Sequence, residues 1–227
     1  MPEIMSNNET GHDILLVEDV QAMRLYLRLI FESAGFQVSE AENLQEARRH
    51  LQTGDCPGTI LLDLELPDGH GLDLIRDVPE GVDVVALSAD DSRETELQCR
   101  NAGCVAVLSK SDSMSNIGQA IASKWRRSSL AVETPRHQPE LAMKYSTYLV
   151  EARIALQRAR HVHDFDKARR IAHRLRGTAV HFGYGGISRS ALTMSEALAS
   201  GDLNQIESAI DQLTDRLLDA TAVAQVS

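Results

Sequence analysis

Residues 59–63 read TILLD, a short apolar run closed by a carboxylate. The next eight, LELPDGHG (64–71), set a proline four positions and a glycine eight positions beyond that aspartate. Four more apolar runs accompany it: DILLVE (13–18), FQVS (36–39), VDVVALS (82–88) and VAVLS (105–109). Short apolar runs alternating with helical patterns mark βα units around a parallel sheet. The intervening segments read as helices of usual length. The first, 20–34, closes on Ala34 and Gly35, where glycine suits the left-handed position after a helix. The second sets Leu44, Ala47 and Leu51 on one face.

Five such runs predict an α/β, flavodoxin-like, doubly wound parallel five-stranded sheet over residues 13–125, preceded by a tail over 1–12. Residues 126–140, RRSSLAVETPRHQPE, carry two prolines and few large apolar groups and read as a linker. Beyond it the strand pattern stops. Tyr145, Tyr148, Leu149, Ala152, Leu156 and Ala159 recur at helical spacing. Phe165 to Phe182, Ile187 to Leu198 and Leu203 to Ala220 follow with stripes of their own. Asp164 opens the second of these helices, Gly201 closes the third, and Asp202 with Gln205 forms a candidate capping box. Four amphipathic helices joined by short turns predict an all-α antiparallel four-helix bundle over 141–223.

The 227 residues suffice for two cores. Charge divides unevenly: residues 1–125 hold 9 Lys+Arg against 22 Asp+Glu, a net of −13, and residues 126–227 hold 14 against 11, a net of +3. An acidic chain with a pI near 5.2 argues against wrapping nucleic acid. Cys56, Cys99 and Cys104 show no metal-binding or disulfide spacing and read as small core residues of a reducing compartment. No basic start leads into an apolar run, and no apolar stretch reaches membrane length, so a cytoplasmic protein without membrane contact is expected.

In a doubly wound sheet the functional crevice lies at the carboxyl ends of the strands. Strand one ends in Glu18 and Asp19, strand three in Asp63, strand four in Ser88, and strand five runs into Lys110. Converging carboxylates repel unless a cation neutralises them. All-oxygen ligation at that charge suits Mg²⁺, or Mn²⁺ in its place, which shares its shell readily with phosphate. A lysine and a hydroxyl beside them supply donors for phosphate oxygens. The set describes a carboxylate that accepts a phosphoryl group as an acyl phosphate.

The acidic pair Glu18-Asp19, the D-x3-P-x3-G run of Asp63, Pro67 and Gly71, the Ser88-Ala89 step and Lys110 resemble the receiver family of response regulators, over about residues 12–125. The resemblance implies Asp63 as phosphoacceptor. Metal would be held by Glu18, Asp19, Asp63 and the backbone carbonyl of Glu65, with Ser88 and Lys110 on the phosphoryl group. Two positions depart from the family. Val107 replaces its usual aromatic, which removes the rotamer switch. Ser111 replaces the usual proline, where a cis bond would cost about 2.5–4 kcal/mol. Asp68-Gly69-His70-Gly71 is similar to a kinase ATP loop, but it lies inside the D-x3-P-x3-G run and is read as part of it.

In the second half, AHRLRGTAVHFG (172–183) sets Arg169, Arg170, Arg176 and Gly177 around His173 on one helix surface, at the solvent edge of the apolar stripe. A mid-helix glycine costs about 1 kcal/mol relative to alanine but clears space for an approaching partner. Neighbouring arginines disfavour imidazole protonation, which keeps a ring nitrogen nucleophilic. His161, His163 and His181 read as exposed. His173, Leu175, Arg176, Gly177, Thr178, Ala179 and Gly183 resemble the core pattern of histidine-phosphotransfer domains, over roughly 140–223. That resemblance implies His173 as a second phosphoacceptor with Arg176 and Gly177 beside it.

Two acceptors without an ATP-binding kinase motif imply a phosphorelay protein, self-phosphorylated on Asp63 in a Mg²⁺-dependent step from the phosphohistidine of a sensor histidine kinase. His173 would then exchange phosphate with Asp63 or with the receiver domain of another response regulator. A linker of about 15 residues spans roughly 20 Å as a flexible coil, which permits transfer within or between chains. The alternatives are a DNA-binding output, with GYGGISRSALTMS (183–195) as a loose helix-turn-helix, and a protein-interaction output.

Overall fold

The computed structural model describes residues 13–53, 56–110 and 139–224. The expected tail, Ser111, the stretch following it and all of the expected linker up to residue 138 lie outside these.

The first half is built from β1 (Asp13–Val17), α1 (Gln21–Ser33), β2 (Gln37–Ala41), α2 (Leu44–Gln52) and β3 (Thr59–Asp63). A two-stranded hairpin, β4 (Glu65–Leu66) and β5 (Gly69–His70), then leads into a 3-10 helix (Gly71–Asp77). After it come β6 (Asp83–Ser88), α3 (Arg93–Ala102) and β7 (Ala106–Ser109). The five long strands pair in parallel in the order β2-β1-β3-β6-β7. Alternation along a strand sends side chains to opposite faces, and the core divides accordingly. Ile14, Leu16, Leu61, Val85 and Leu87 pack under α1, whereas Leu15, Val17, Ile60, Leu62, Val84 and Ala86 pack under α2, the 3-10 helix and α3.

Gly35 takes the left-handed conformation expected after α1 (φ 79°). The connection between β3 and β6 carries a 7-residue 3-10 helix in place of the helix of usual length expected there, its first part being taken up by the β4–β5 hairpin. Cys99 and Cys104 are buried as expected, but Cys56 is exposed in the loop ahead of β3. Val107 is half-buried and packs on the α2 face.

The second half holds four helices: α4 (Pro139–His161), α5 (Phe165–Thr178), α6 (Gly185–Ser200) and α7 (Leu203–Ala224), with a 3-10 turn at Ala179–Phe182. α4 starts two residues inside the segment read as linker, with Pro139 at a position that lacks an intrahelical N–H partner anyway. The Asp164 carboxylate accepts from Lys167 N–H at 3.0 Å and caps α5. Asp202 caps α7, but the Gln205 amide donates to the Asp202 carboxylate at 3.1 Å, so the reciprocal bond of a full capping box is not made. Residues 185–195, most of the stretch read as a loose helix-turn-helix, are the start of one continuous helix whose Ile187, Ala191 and Met194 lie in the bundle core. Among the described residues no helix is long and apolar enough to cross a membrane.

The halves share an apolar seam. Leu141 of α4 is buried within the α1-side core and Ala22 of α1 within the bundle core, while Tyr148 and Phe182 pack against both. The Tyr26 and Phe182 rings meet at 5.8 Å. The bundle therefore lies over the carboxyl ends of the strands, where the carboxylates are.

Candidate functional site

Parallel strands end together, which brings Glu18, Asp63, Ser88 and Lys110 into one buried pocket. The Lys110 ammonium lies 2.7 Å from Glu18 Oε2 and 2.7 Å from Asp63 Oδ2. One oxygen each from Glu18, Asp19 and Asp63 falls within 4.8 Å of the others, a set able to hold a metal ion. Arg24 fixes the first ligand from behind: it donates to the Glu18 carbonyl at 2.5 Å and pairs with Glu40 at 3.1 Å. Ser88 Oγ donates to the Asp90 carbonyl at 2.9 Å and accepts from Asp90 N–H at 2.9 Å, so its hydroxyl is held at the pocket edge.

Electrostatics follow from burying like charges together. Burial, helped by Asp63 and Asp19, pushes the Glu18 carboxyl up to about 7 against the pull of Lys110. Burial also raises Asp19, opposed by Arg174. Burial alone would lower the Lys110 ammonium, but Asp63 and Glu18 outweigh it and hold it above its ordinary range. A carboxylate oxygen of Asp19, Oδ1, is buried with no hydrogen-bond partner. That atom and the surplus of negative charge fit a hard divalent cation.

The glycine of the D-x3-P-x3-G run has a steric cause. Gly71 N–H donates to the Leu64 carbonyl at 2.8 Å. A Cβ on Gly71 would fall 2.2 Å from the Asp63 carbonyl oxygen, so only glycine lets the hairpin fold back there. Asp68 accepts from Leu44 and Gln45 N–H at 3.0 Å each and so serves the start of α2. The segment similar to a kinase ATP loop is thus consumed by a hairpin and a helix cap.

The bundle brings His173 to this pocket. Its ring is only 15% exposed, not at a solvent edge, because the first half covers it. Glu65 spans the two candidate acceptors: its backbone N–H donates to Asp63 Oδ1 at 3.2 Å, and its carboxylate lies 3.1 Å from His173 Nδ1. An ionised Glu65 accepts from Nδ1–H and leaves the lone pair on Nε2, an atom buried without a hydrogen-bond partner. Gly177 lies at the closest approach. A Cβ there would come within 2.9 Å of Ala89 Cβ and 3.1 Å of Lys110 Cδ. Arg176 donates to the Ala89 carbonyl and His181 Nε2 contacts the Lys110 carbonyl, so His181 is not simply exposed. His161 and His163 are exposed as expected. Thr178 bonds to Tyr145 Oη at 2.9 Å, and Phe182 stacks on Tyr145 at 3.9 Å, which anchors the end of α5.

Two participants have no place in the sequence reading, the Glu65 side chain and Arg174, and His181 figures there only as an exposed histidine. Arg174 Nη1 lies 3.0 Å from Asp19 Oδ2. The signal available was its basic charge beside His173 in a chain whose other half is strongly acidic.

Burial lowers His173 to about 4, with Lys110 and Arg176 lowering it further and Asp63 opposing. A histidine depressed by docking favours docking fully above its ordinary 6.5, and this contribution is lost as pH falls from 6.5 through 4. Glu65, raised by burial to about 7, acts in the opposite sense over an overlapping window. NMR titration of the imidazole C–H signals should give His173 a pKa near 4, returning toward 6.5 when the domains are forced apart. A value near 6.5 in the intact chain would contradict the buried position.

Comparison with known proteins matches residues 14–122 to the response regulator receiver domain and residues 145–223 to the Hpt domain. The KDP operon transcriptional regulatory protein KdpE of Escherichia coli strain K12 is 41% identical over 100 residues, covering 43% of this chain and 44% of that protein. The phosphate regulon transcriptional regulatory protein PhoB of Klebsiella pneumoniae is 32% identical over 147 residues, covering 60% and 62%. KdpE and the Escherichia coli PhoP protein are each matched over 44% of their length, less than half. Among solved structures, the receiver domain of a Luxo repressor protein from Vibrio parahaemolyticus is 22% identical (TM-score 0.46, 51% of this chain and 90% of that one). A chain from the complex of the Saccharomyces cerevisiae histidine phosphotransfer protein Ypd1 with the receiver of Ssk1 is 25% identical (TM-score 0.45, 48% and 86%).

Proposed function

Since residues 14–122 are a response-regulator receiver domain and residues 145–223 an Hpt domain, which makes the chain a phosphorelay protein, we propose that Asp63 and His173 are its two stations and exchange phosphate within one chain. The observation that carries this reading is Glu65, which bonds Asp63 through its backbone and His173 through its carboxylate.

The step follows from the atoms present. His173 Nε2 attacks the phosphorus of aspartyl phosphate; the N–P bond forms as the bond from phosphorus to the Asp63 oxygen breaks, and the electron pair stays on the carboxylate. The ring retains its Nδ1 proton and gains positive charge, which the Glu65 carboxylate offsets. Lys110 donates to phosphoryl oxygens, Ser88 does so once its hydroxyl turns away from the Asp90 carbonyl, and the reverse step uses the same contacts. A Mg²⁺ held by Glu18, Asp19, Asp63 and the Glu65 carbonyl would neutralise phosphoryl charge during transfer. The covering bundle excludes water that would otherwise hydrolyse the acyl phosphate.

The phosphoryl donor in this reading is the phosphohistidine of a sensor kinase, and the alternative acceptor is the receiver of another response regulator. Incubating the full chain with a phosphorylated kinase domain should produce base-labile label on Asp63 and acid-labile label on His173. Absence of either species would overturn the relay.

A further inference from the structure

We propose that Arg174 couples metal binding to domain docking: a divalent cation and the docked Arg174 guanidinium both neutralise the Asp19 carboxylate, so each weakens the other. The inference rests on the docked, intrachain relay described above.

Three carboxylates converge in the pocket, and in the docked chain each already has a protein cation. Lys110 lies 2.7 Å from Glu18 and from Asp63, and Arg174 lies 3.0 Å from Asp19. The first cation belongs to the receiver and stays there. The second arrives on α5 of the Hpt domain and leaves with it. Asp19 is 8% and Arg174 23% exposed, so water screens their interaction little. The guanidinium also sits in an environment that gives it few other partners, since Arg174 Nε is buried without an acceptor. The Tyr148 hydroxyl of the bundle, buried and unpartnered nearby, carries no charge that could replace it, and Arg176 is engaged with the Ala89 carbonyl.

A divalent ion ligated by Glu18, Asp19 and Asp63 would therefore share Asp19 with a guanidinium. The two cations repel across that carboxylate at low screening. Linkage makes the effect reciprocal: whatever factor Arg174 takes from metal affinity, metal takes from docking. With metal bound, the Hpt domain would be released more readily to meet another receiver. Without metal, the chain would close on itself. His173 and Arg174, adjacent on one helix, thus divide two roles: the first touches the reacting phosphorus, and the second is a positioning residue.

The test measures Mg²⁺ binding to the full chain by isothermal titration calorimetry and domain separation by small-angle scattering. Arg174→Ala should bind Mg²⁺ about tenfold more tightly than the unaltered chain, within the usual range of coupling between linked sites. Arg174→Lys, which keeps the charge, should fall between them. Gly177→Leu, which forces the domains apart with Arg174 intact, should tighten binding as Arg174→Ala does. Saturating Mg²⁺ should expand the unaltered chain. Unchanged or weaker Mg²⁺ binding in Arg174→Ala, with a compact starting chain, would overturn the coupling while leaving the relay standing. A starting chain already as expanded as Gly177→Leu would overturn intrachain docking, and the coupling with it.

Discussion

Asp63→Asn is expected to take up no base-labile label from a phosphorylated kinase domain, a loss of about 10⁴-fold or more, the scale seen when a covalent nucleophile is removed. The amide keeps the shape of the carboxylate but lacks a charged oxygen able to attack phosphorus. It also removes one of three converging charges, so the fold should survive: Lys110 retains Glu18 as a partner at 2.7 Å. Charging of His173 from its own receiver should vanish at the same time. The complementary His173→Gln chain should still acquire label on Asp63 and should pass none to the bundle. Base-labile label persisting in Asp63→Asn would mean another carboxylate is the acceptor.

Gly177→Leu should leave the bundle folded yet slow exchange between Asp63 and His173 by roughly tenfold to a hundredfold. Leucine suits a helix better than glycine by nearly 1 kcal/mol, so α5 gains intrinsic stability. The docked state cannot accept the side chain, because even its Cβ would overlap Ala89 and crowd Lys110. Overpacking of that kind costs about 1–3 kcal/mol, and each 1.4 kcal/mol is a factor of ten. The two effects have opposite signs, which separates docking from folding. Thermal unfolding should rise or hold while single-turnover transfer falls. Transfer at the unaltered rate would mean that Gly177 does not lie at the reactive interface.

The receiver half was legible because parallel strands place their last residues together. Five apolar runs, each read from its own few residues, were enough to bring Glu18, Asp63, Ser88 and Lys110 to one pocket. Gly71 showed as a pattern, but its cause, the Asp63 carbonyl 2.2 Å from where a Cβ would stand, depends on how the hairpin folds back. The bundle stripes were equally legible, since helical periodicity reports burial directly; Tyr145, Leu149, Ala152, Leu156 and Ala159 are all buried. Docking was not. Periodicity describes one element at a time, whereas Glu65 with His173 and Arg174 with Asp19 pair residues from different domains. For that reason the sequence places His173 at a solvent edge with Arg169, Arg170 and Arg176 around it. In the docked chain Arg176 is engaged with the Ala89 carbonyl, and Arg174 reaches the Asp19 carboxylate. Only the opposed net charges of the two halves hinted that they would meet.

The most direct test of intrachain relay is the rate at which label passes between Asp63 and His173 as the protein is diluted. One purified chain, charged on Asp63 and freed of kinase, should transfer with a first-order rate constant that does not change with concentration. Mixing Asp63→Asn with His173→Gln should yield only a slower, second-order exchange. A rate that scales with protein concentration, matched by the mixed variants, would contradict transfer within one chain.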